Sequence, residues 1–233
     1  MTYQTITQNP IESLRSILFY VFFITLLPTH LISENNSNPW NPRQATIQMT
    51  KQEVQKKLDR GVTPKELIDE GAEPSVFIGL LYDGGMIFQI NTSGEGLMAA
   101  LVDHDEMVPW GCKGFSILGN NDSNSKSGQK QTKAILDNPC HSNDGVTCAA
   151  EICAQFKGGN HNDWFLPSLE ELEQMYASIG QGSGNNFGGF EDANYWSSTE
   201  GDRSTAVMQQ FVNGSHGPDL KSFKVRVRPV RAF

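Results

Sequence analysis

Two short segments of this chain place acidic side chains beside a histidine, and each could do chemistry. Residues 103–106 read DHDE, which offers carboxylates around His104 as oxygen ligands for a hard cation such as calcium. Residues 160–164 read NHNDW, in which His161 and Asp163 could form a catalytic or a calcium-binding corner. An acidic loop is more often solvated, and an aspartate before a helix stabilises the helix N-terminus. We therefore expect structural roles, no catalytic residue and no cofactor, with a structural calcium ion as the alternative at DHDE.

The sequence lacks the common motifs of enzymes and nucleotide-binding proteins. It contains no G-x-S-x-G, no P-loop, no H-E-x-x-H and no G-x-G-x-x-G. Its 233 residues carry 18 Lys and Arg against 26 Asp and Glu, a net charge of −8. A chain this acidic repels a phosphate backbone, so we expect no nucleic-acid partner. The 22 glycines and 38% hydrophobic content indicate a loop-rich globular domain.

The four cysteines, Cys112, Cys140, Cys148 and Cys153, lie in one stretch of the chain. An even number of cysteines in an exported protein indicates two disulfides, for which three pairings exist. Cys148 and Cys153 would lie about 140° apart around a helix axis and so do not face each other. Of the remaining pairings we favour Cys140–Cys148 with Cys112–Cys153. A zinc site is the rival interpretation, but the sequence has no C-x-x-C pair.

The N-terminal segment has the features of an export signal. Residues 16–27, SILFYVFFITLL, are apolar and uncharged after Arg15, and are shorter than the roughly 20 residues of a membrane-spanning helix. We predict a signal peptide over residues 1–33, with an uncleaved signal anchor as the alternative, and a linker over residues 34–49. The protein would then be periplasmic, on the cell surface or secreted, and would contact a membrane only through this segment.

Three capping boxes mark helix starts, TKQE at 50–53, TPKE at 63–66 and SLEE at 168–171. The first two predict a short helical hairpin over residues 50–73, which either docks on the following domain or acts as a spacer. Residues 74–233 alternate short strand patterns with glycine turns and predict an α+β domain with short antiparallel strands, two or three helices and long loops.

The C-terminal segment KSFKVRVRPV, residues 221–230, alternates apolar and basic residues. This pattern predicts a strand with one buried and one solvated face. Its basic side chains could also bind an anionic ligand such as a sulfated glycan.

Several motifs in order resemble the Lcl C-terminal domain family. They are GGMIFQI, GLMAALVD, WGC, TKAIL, AAEIC, NDWFLPSLEELEQMY, YWSSTE and VRVRPVRAF, from about Gly84 to Phe233. The family is similar to C-type-lectin-like folds, which include formylglycine-generating-type domains and receptors diversified by retroelements. The resemblance implies a binding scaffold over residues 74–233 with Trp110, Trp164 and Trp196 as buried anchors.

The resemblance also implies a display surface near the C-terminus. Mapped onto this sequence, its members are Glu200, Asp202, Arg203, Met208, Gln210, Asn213, Ser215 and His216. The EPN, QPD and WND patterns of calcium-dependent lectins are absent, and all four cysteines lie upstream of the position that a formylglycine-generating enzyme requires.

We therefore expect an exported, non-enzymatic recognition or adhesion module whose partner is a protein or glycan. The alternatives are an enzyme of formylglycine-generating-like fold that uses His161 and Asp163, and a structural envelope protein anchored by residues 16–27.

Overall fold

The computed structural model describes residues 48–117, 127–142 and 145–233, which all belong to one compact unit, Gln44–Phe233. The predicted signal segment and nearly all of the linker lie outside the described residues. Within the described ranges no helix is both long and apolar enough to cross a membrane.

The described part combines helices with antiparallel strands, and this confirms the α+β class. In chain order the elements are α1 (Lys51–Leu58), α2 (Pro64–Asp69), β1 (Leu81–Tyr82), β2 (Gly85–Ile90), β3 (Gly96–Ala100), α3 (Gly128–Asp137), α4 (Ala149–Gln155), α5 (Leu169–Ser178), β4 (Asn194–Glu200), β5 (Thr205–Gln210), β6 (His216–Leu220) and β7 (Val230–Ala232). Four short 3-10 helices join them, Pro74–Phe77, Pro139–Ser142, Gly158–Asn160 and Gln181–Ser183.

Both N-terminal helices begin at the capping boxes that the sequence predicts. The Thr50 backbone N–H donates to Glu53 Oε2 at 2.8 Å, and the Glu53 N–H donates to Thr50 Oγ1 at 3.3 Å. Thr63 and Glu66 repeat this exchange at 2.8 and 3.3 Å. Each box satisfies N–H groups that have no partner inside the helix, so these short helices start at a fixed residue.

The two helices pack against the first sheet. Val54, Leu58 and Leu67 share a buried cluster with Phe77 and Ile87. Burial of these side chains docks the helical pair on the following residues, since neither helix is long enough to be stable alone.

The first sheet has the strand order β1-β2-β3-β7, with every neighbouring pair antiparallel. Leu97 lies opposite Ala232, and Ala99 lies opposite Val230. Strand β7 therefore completes the sheet that β1, β2 and β3 begin. The two ends of the domain meet in one core.

The second sheet has the order β4-β5-β6 and has core on both sides of β4. Trp196 packs in a cluster with Trp110, whereas its neighbour Tyr195 packs in another with Phe211 and Met175 of α5. Adjacent strand residues point to opposite faces, which explains how one strand serves two clusters. Strand β6 was not predicted, because its sequence HGPDL contains glycine and proline, which are depleted in strands.

The predicted strand over residues 221–230 is wrong in most of its length. This segment makes only isolated bridges, from Val225 to Val108 and from Arg226 to Tyr195, and regular pairing begins at Val230. The alternation fails as well, since Phe223 is 49% exposed and Arg228 is 1% exposed. The segment runs between the two sheets, so its surroundings change at each residue.

The favoured disulfide pairing is also wrong. Cys112 bonds to Cys140, with 4.8 Å between the Cα atoms, and Cys148 and Cys153 are free and buried. Cys148 lies at the cap of α4 and Cys153 lies near its end, where both pack into the core around Trp110. One disulfide therefore ties the chain before α3 to the chain after it.

Candidate binding surface

The motifs DWFLPS and YWSST meet in a buried joint. The Ser198 N–H donates to Pro167 O at 2.7 Å, and the Leu169 N–H donates to Thr199 Oγ1 at 3.1 Å. The Ser198 hydroxyl donates to Gln131 Oε1 at 2.6 Å. These contacts hold β4 against the start of α5, so the two motifs build the scaffold and leave little surface for a ligand.

The three tryptophans named by the resemblance are buried anchors, as expected. Trp110 Nε1 donates to Ser197 O at 2.8 Å, and Trp196 Nε1 donates to Val108 O at 3.0 Å. Trp164 is 2% exposed. A buried indole N–H normally finds an acceptor, and the two reciprocal bonds lock β4 to the segment before the disulfide.

Glu171 joins the starts of two helices. Its carboxylate accepts from the Ser168 N–H at 2.8 Å and from the Gly128 N–H at 3.1 Å, at the first turns of α5 and α3. Burial raises the pKa of Glu171 to about 7, against the effect of the two N–H donors. A Cβ at Gly128 would collide with Glu171 and with the Leu166 carbonyl, so only glycine fits there.

His161 and Asp163 belong to a network of charges rather than to a mutual pair. Asp83 Oδ2 lies 2.8 Å from His161 Nε2, without hydrogen-bond alignment, and 3.1 Å from Arg231 NH1. Arg231 Nε donates to Asp163 Oδ1 at 2.6 Å. The network ties the loop before Trp164 to the β1–β2 turn and to β7, which supports the structural interpretation of this corner.

Asp103 of the DHDE segment is engaged by protein groups. Its Oδ1 accepts from Arg228 Nε at 2.5 Å, and its Oδ2 accepts from the Tyr195 hydroxyl at 2.7 Å. Burial, together with this hydrogen bond to a carboxylate, raises the pKa of Tyr195 above its ordinary value. Across the described ranges no group of three or more His, Cys, Asp or Glu side chains could hold a metal ion.

The basic side chains of the C-terminal segment are mostly paired. Lys221 binds Glu200, Arg226 binds Glu191 at 2.7 Å, and Arg228 binds Asp103. The solvated basic face that the alternation predicted is therefore wrong, because these cations neutralise acids of the same chain.

Two members of the predicted display surface are not displayed. Glu200 is 7% exposed, and its carboxylate lies against Lys221. Met208 lies opposite Trp196 and packs against the same core. Both point inward because their strand positions share the face of Trp196, so we remove them from the surface.

The other six members fall at two ends of the second sheet. The two groups are Asp202 and Arg203 in the β4–β5 turn, and Gln210, Asn213, Ser215 and His216 around the β5–β6 turn. Strand β5 separates them by about 20 Å. The structure therefore does not bring the predicted set together.

The β5–β6 turn uses its polar groups internally. The Ser215 hydroxyl lies 2.8 Å from Asn213 Oδ1 and 3.1 Å from Gln210 Oε1. His216 Nδ1 lies 3.1 Å from Glu173 of α5. Because these groups already have partners, the turn has few polar atoms to offer a ligand.

The β4–β5 turn belongs to a larger surface, which we call the tip and define as residues 112–117, 201–204 and 220–224. The Gly114 N–H donates to Arg203 O at 2.8 Å, and the Lys221 N–H donates to Ser204 O at 2.9 Å. Three loops distant in sequence are thus joined through their backbones.

A buried ion pair lies beneath the exposed residues of the tip and contacts its first loop. Lys221 Nζ lies 2.5 Å from Glu200 Oε1, and it donates to Phe115 O at 2.8 Å. Glu200 accepts from the Ile117 N–H at 3.1 Å. The Lys221 ammonium also lies 4.6 Å from the Trp110 ring centroid, and burial lowers its pKa. The pair therefore holds the loop at Phe115 and at Ile117.

The exposed side of the tip is apolar with a basic margin. Phe115 is 50% exposed, Leu220 44% and Phe223 49%. The exposed cations of the tip are Lys113, Arg203 and Lys224, and its one exposed carboxylate is Asp202. Among the described residues none of the three has a carboxylate within 4.0 Å.

The sequence reasoning missed the apolar part of this surface. Phe115 stands alone among Gly, Ser and Lys in CKGFS, next to a cysteine. A lone aromatic residue in a polar loop beside a disulfide was the available signal. Phe223 was assigned to a buried face by the alternation that the structure contradicts.

Comparisons with known proteins place the chain as follows. The family model described as the Lcl C-terminal domain matches residues 115–231, half of the chain. A fimbrial protein from Bacteroides ovatus ATCC 8483 is similar at 17% identity with a TM-score of 0.38. That match covers 59% of this chain and 36% of the other, and so spans about a third of the fimbrial protein. A likeness at this TM-score carries no functional argument. No curated protein matches the chain.

Proposed function

Since the chain belongs to the Lcl C-terminal domain family, we propose that it is an exported, non-enzymatic module that recognises its partner through the tip. Membership of this family is compatible with a surface or adhesion module. The scaffold motifs of the family are buried in the joint between β4 and α5, so recognition must use other residues.

One observation carries the proposal: Phe115 is half exposed on a loop that hydrogen bonds and a disulfide hold in place. An exposed aromatic side chain keeps apolar surface in contact with water, and binding becomes more favourable when a partner covers that surface. Binding hot spots are enriched in such side chains when their loops are ordered in advance. The backbone bonds to Arg203 and Lys221 and the Cys112–Cys140 disulfide order this loop before any partner arrives.

The disulfide supports export as part of the proposal. Cysteine pairs persist in oxidising compartments and are rare in reducing ones. The non-enzymatic part rests on the occupied corner at Asp163, whose carboxylate accepts from Arg231, and on the absence of catalytic motifs from the sequence.

Binding of the full chain to immobilised probes tests the proposal. The probes are a sulfated glycan, a neutral glycan, an extracellular-matrix protein and the chain itself. We expect Phe115→Ser with Phe223→Ser to weaken binding at least tenfold to each probe that the wild type binds. Val212→Ser is the matched control, because Val212 is 56% exposed at the other end of the sheet.

Equal binding by the wild type and the double tip variant would exclude the tip as the recognition surface. A wild type that binds none of the probes would favour the structural envelope protein instead.

A further inference from the structure

Exposed apolar side chains are concentrated in two places. Of the ten large hydrophobic residues that are strongly exposed in the described ranges, three lie in the tip. Another three are Leu81, at 49%, Leu101, at 49%, and Val102, at 63%. Soluble proteins seldom leave such side chains grouped unless a partner covers them.

The second group lines three neighbouring open cavities of about 490, 380 and 290 Å³, which we call together the acidic groove. Leu101 lines the first and second cavities, and Val102 lines the second and third. Leu81 lines the first cavity. The groove therefore follows the end of β3, with α1 on one side and α4 on the other.

The charge of the groove is opposite to that of the tip. Its walls carry five carboxylates, Asp59, Asp83, Asp103, Asp105 and Glu191, against the two guanidinium groups Arg226 and Arg228. Both guanidinium groups are already paired, with Glu191 and Asp103. Asp59 and Asp105 have no cation within 4.0 Å among the described residues.

We infer that the partner of the tip is a second copy of this chain, bound by its acidic groove. This inference rests on the proposed function of the tip and names its partner. Each surface offers three exposed apolar side chains, one set on projecting loops and the other along a recess. The unpaired cations Lys113, Arg203 and Lys224 of one copy complement Asp59 and Asp105 of the other. Complementary charge around an apolar centre is the usual arrangement of a specific protein interface.

Charge reversal on each surface gives a sharp test. The tip variant is Arg203→Glu with Lys224→Glu, and the groove variant is Asp59→Lys with Asp105→Lys. Sedimentation velocity of the full chain, in one non-ionic detergent because residues 16–27 are present in every sample, measures association over a range of concentrations. We expect the wild type to associate and each variant alone to associate at least tenfold more weakly.

The mixture of the two variants decides the question. In an equimolar mixture the basic tip of the groove variant meets the unchanged acidic groove of the tip variant. The reversed tip likewise meets the reversed groove. Association should therefore return in the mixture and weaken as salt is raised, since exposed charges are screened. Lys130→Glu with Lys133→Glu on α3 is the control and should associate like the wild type.

A wild type that stays monomeric, or a mixture that does not regain association, would overturn the inference. The proposed function would survive that result if the Phe115→Ser, Phe223→Ser variant still lost binding to a glycan or matrix probe. If the tip variants lost neither self-association nor binding to a glycan or matrix probe, both this inference and the proposed function would be overturned.

Discussion

The Glu200 carboxylate and the Lys221 ammonium lie 2.5 Å apart at the base of the tip, with side chains 3% and 0% exposed. A buried ion pair is rarely a strong source of stability, because both ions lose their hydration. Here each partner also binds the loop that carries Phe115, through Ile117 N–H and Phe115 O. Its main effect is therefore to position that loop.

We predict that Lys221→Met lowers the free energy of unfolding by about 3–5 kcal/mol, because it leaves the Glu200 charge buried without a partner. The double variant Lys221→Met with Glu200→Leu should lie within about 1 kcal/mol of the wild type, since the two apolar side chains fill the space. Urea denaturation measures both values.

Hydrogen exchange in the same double variant tests whether the ion pair positions the Phe115 loop, separately from its effect on the free energy of unfolding. The Ile117 amide loses its acceptor, so it should exchange faster than in the wild type while the β4–β5 amides stay protected. Unchanged protection at Ile117 would show that the ion pair does not hold the loop.

A second prediction concerns pH. Burial raises the pKa of Glu171 from 4.5 to about 7, so the folded state holds this proton more tightly than the unfolded chain. Its contribution to stability is full below pH 4.5 and is lost as pH rises through 7. By linkage the loss reaches about 3 kcal/mol. Unfolding of Glu171→Gln, followed from pH 4.5 to 8, should lack this decline.

Glu170 provides the control, because it is an exposed carboxylate in the same first turn of α5. Glu170→Gln should retain nearly the whole decline. Parallel pH profiles for the wild type and Glu171→Gln would assign the decline to other groups.

A third prediction concerns the cysteines. Peptide mapping should find Cys112 bonded to Cys140 and two thiols that react with iodoacetamide only after unfolding. Burial raises the pKa of Cys148, and raises that of Cys153 well above its ordinary value, so little thiolate forms at neutral pH. Cys112→Ser should cost about 3–4 kcal/mol of stability, from a sequence separation of 28.

Cys148→Ser offers the contrast, since it leaves the disulfide intact. A Cys140–Cys148 peptide in the non-reduced map would contradict the pairing and restore the one favoured by sequence.

Local rules predicted the parts of the fold that neighbouring residues determine. The capping boxes at Thr50, Thr63 and Ser168 all form, because each depends on residues three positions apart. Strand β6 and the irregular segment after Lys221 were not foreseen, since distant loops determine their environment. The spacing of residue types along the sequence does not predict which distant loops contact each other.

The candidate site shows the same division. Asp202, Arg203 and Glu200 were all predicted on the display surface; the first two are exposed in the β4–β5 turn, but Glu200 is buried against Lys221. The burial of Glu200 depends on Lys221, 21 residues away, and the sequence pattern predicts Lys221 itself on the surface. The acidic groove lies where α1, β1, the end of β3 and α4 adjoin, and no local sequence pattern predicts that these elements lie together.

The last prediction concerns the corner at His161. Arg231 is 11% exposed and contacts both Asp83, at 3.1 Å, and Asp163, at 2.6 Å. Arg231→Met should lower the free energy of unfolding by about 1–2 kcal/mol, because two partly exposed carboxylates lose one shared cation. His161→Asn should cost less than about 1 kcal/mol, since its contact with Asp83 is not aligned. Urea denaturation at neutral pH ranks the two variants. The reverse ranking, with His161 the more costly, would show that His161 contributes more to the stability of this corner than its unaligned contact with Asp83 indicates.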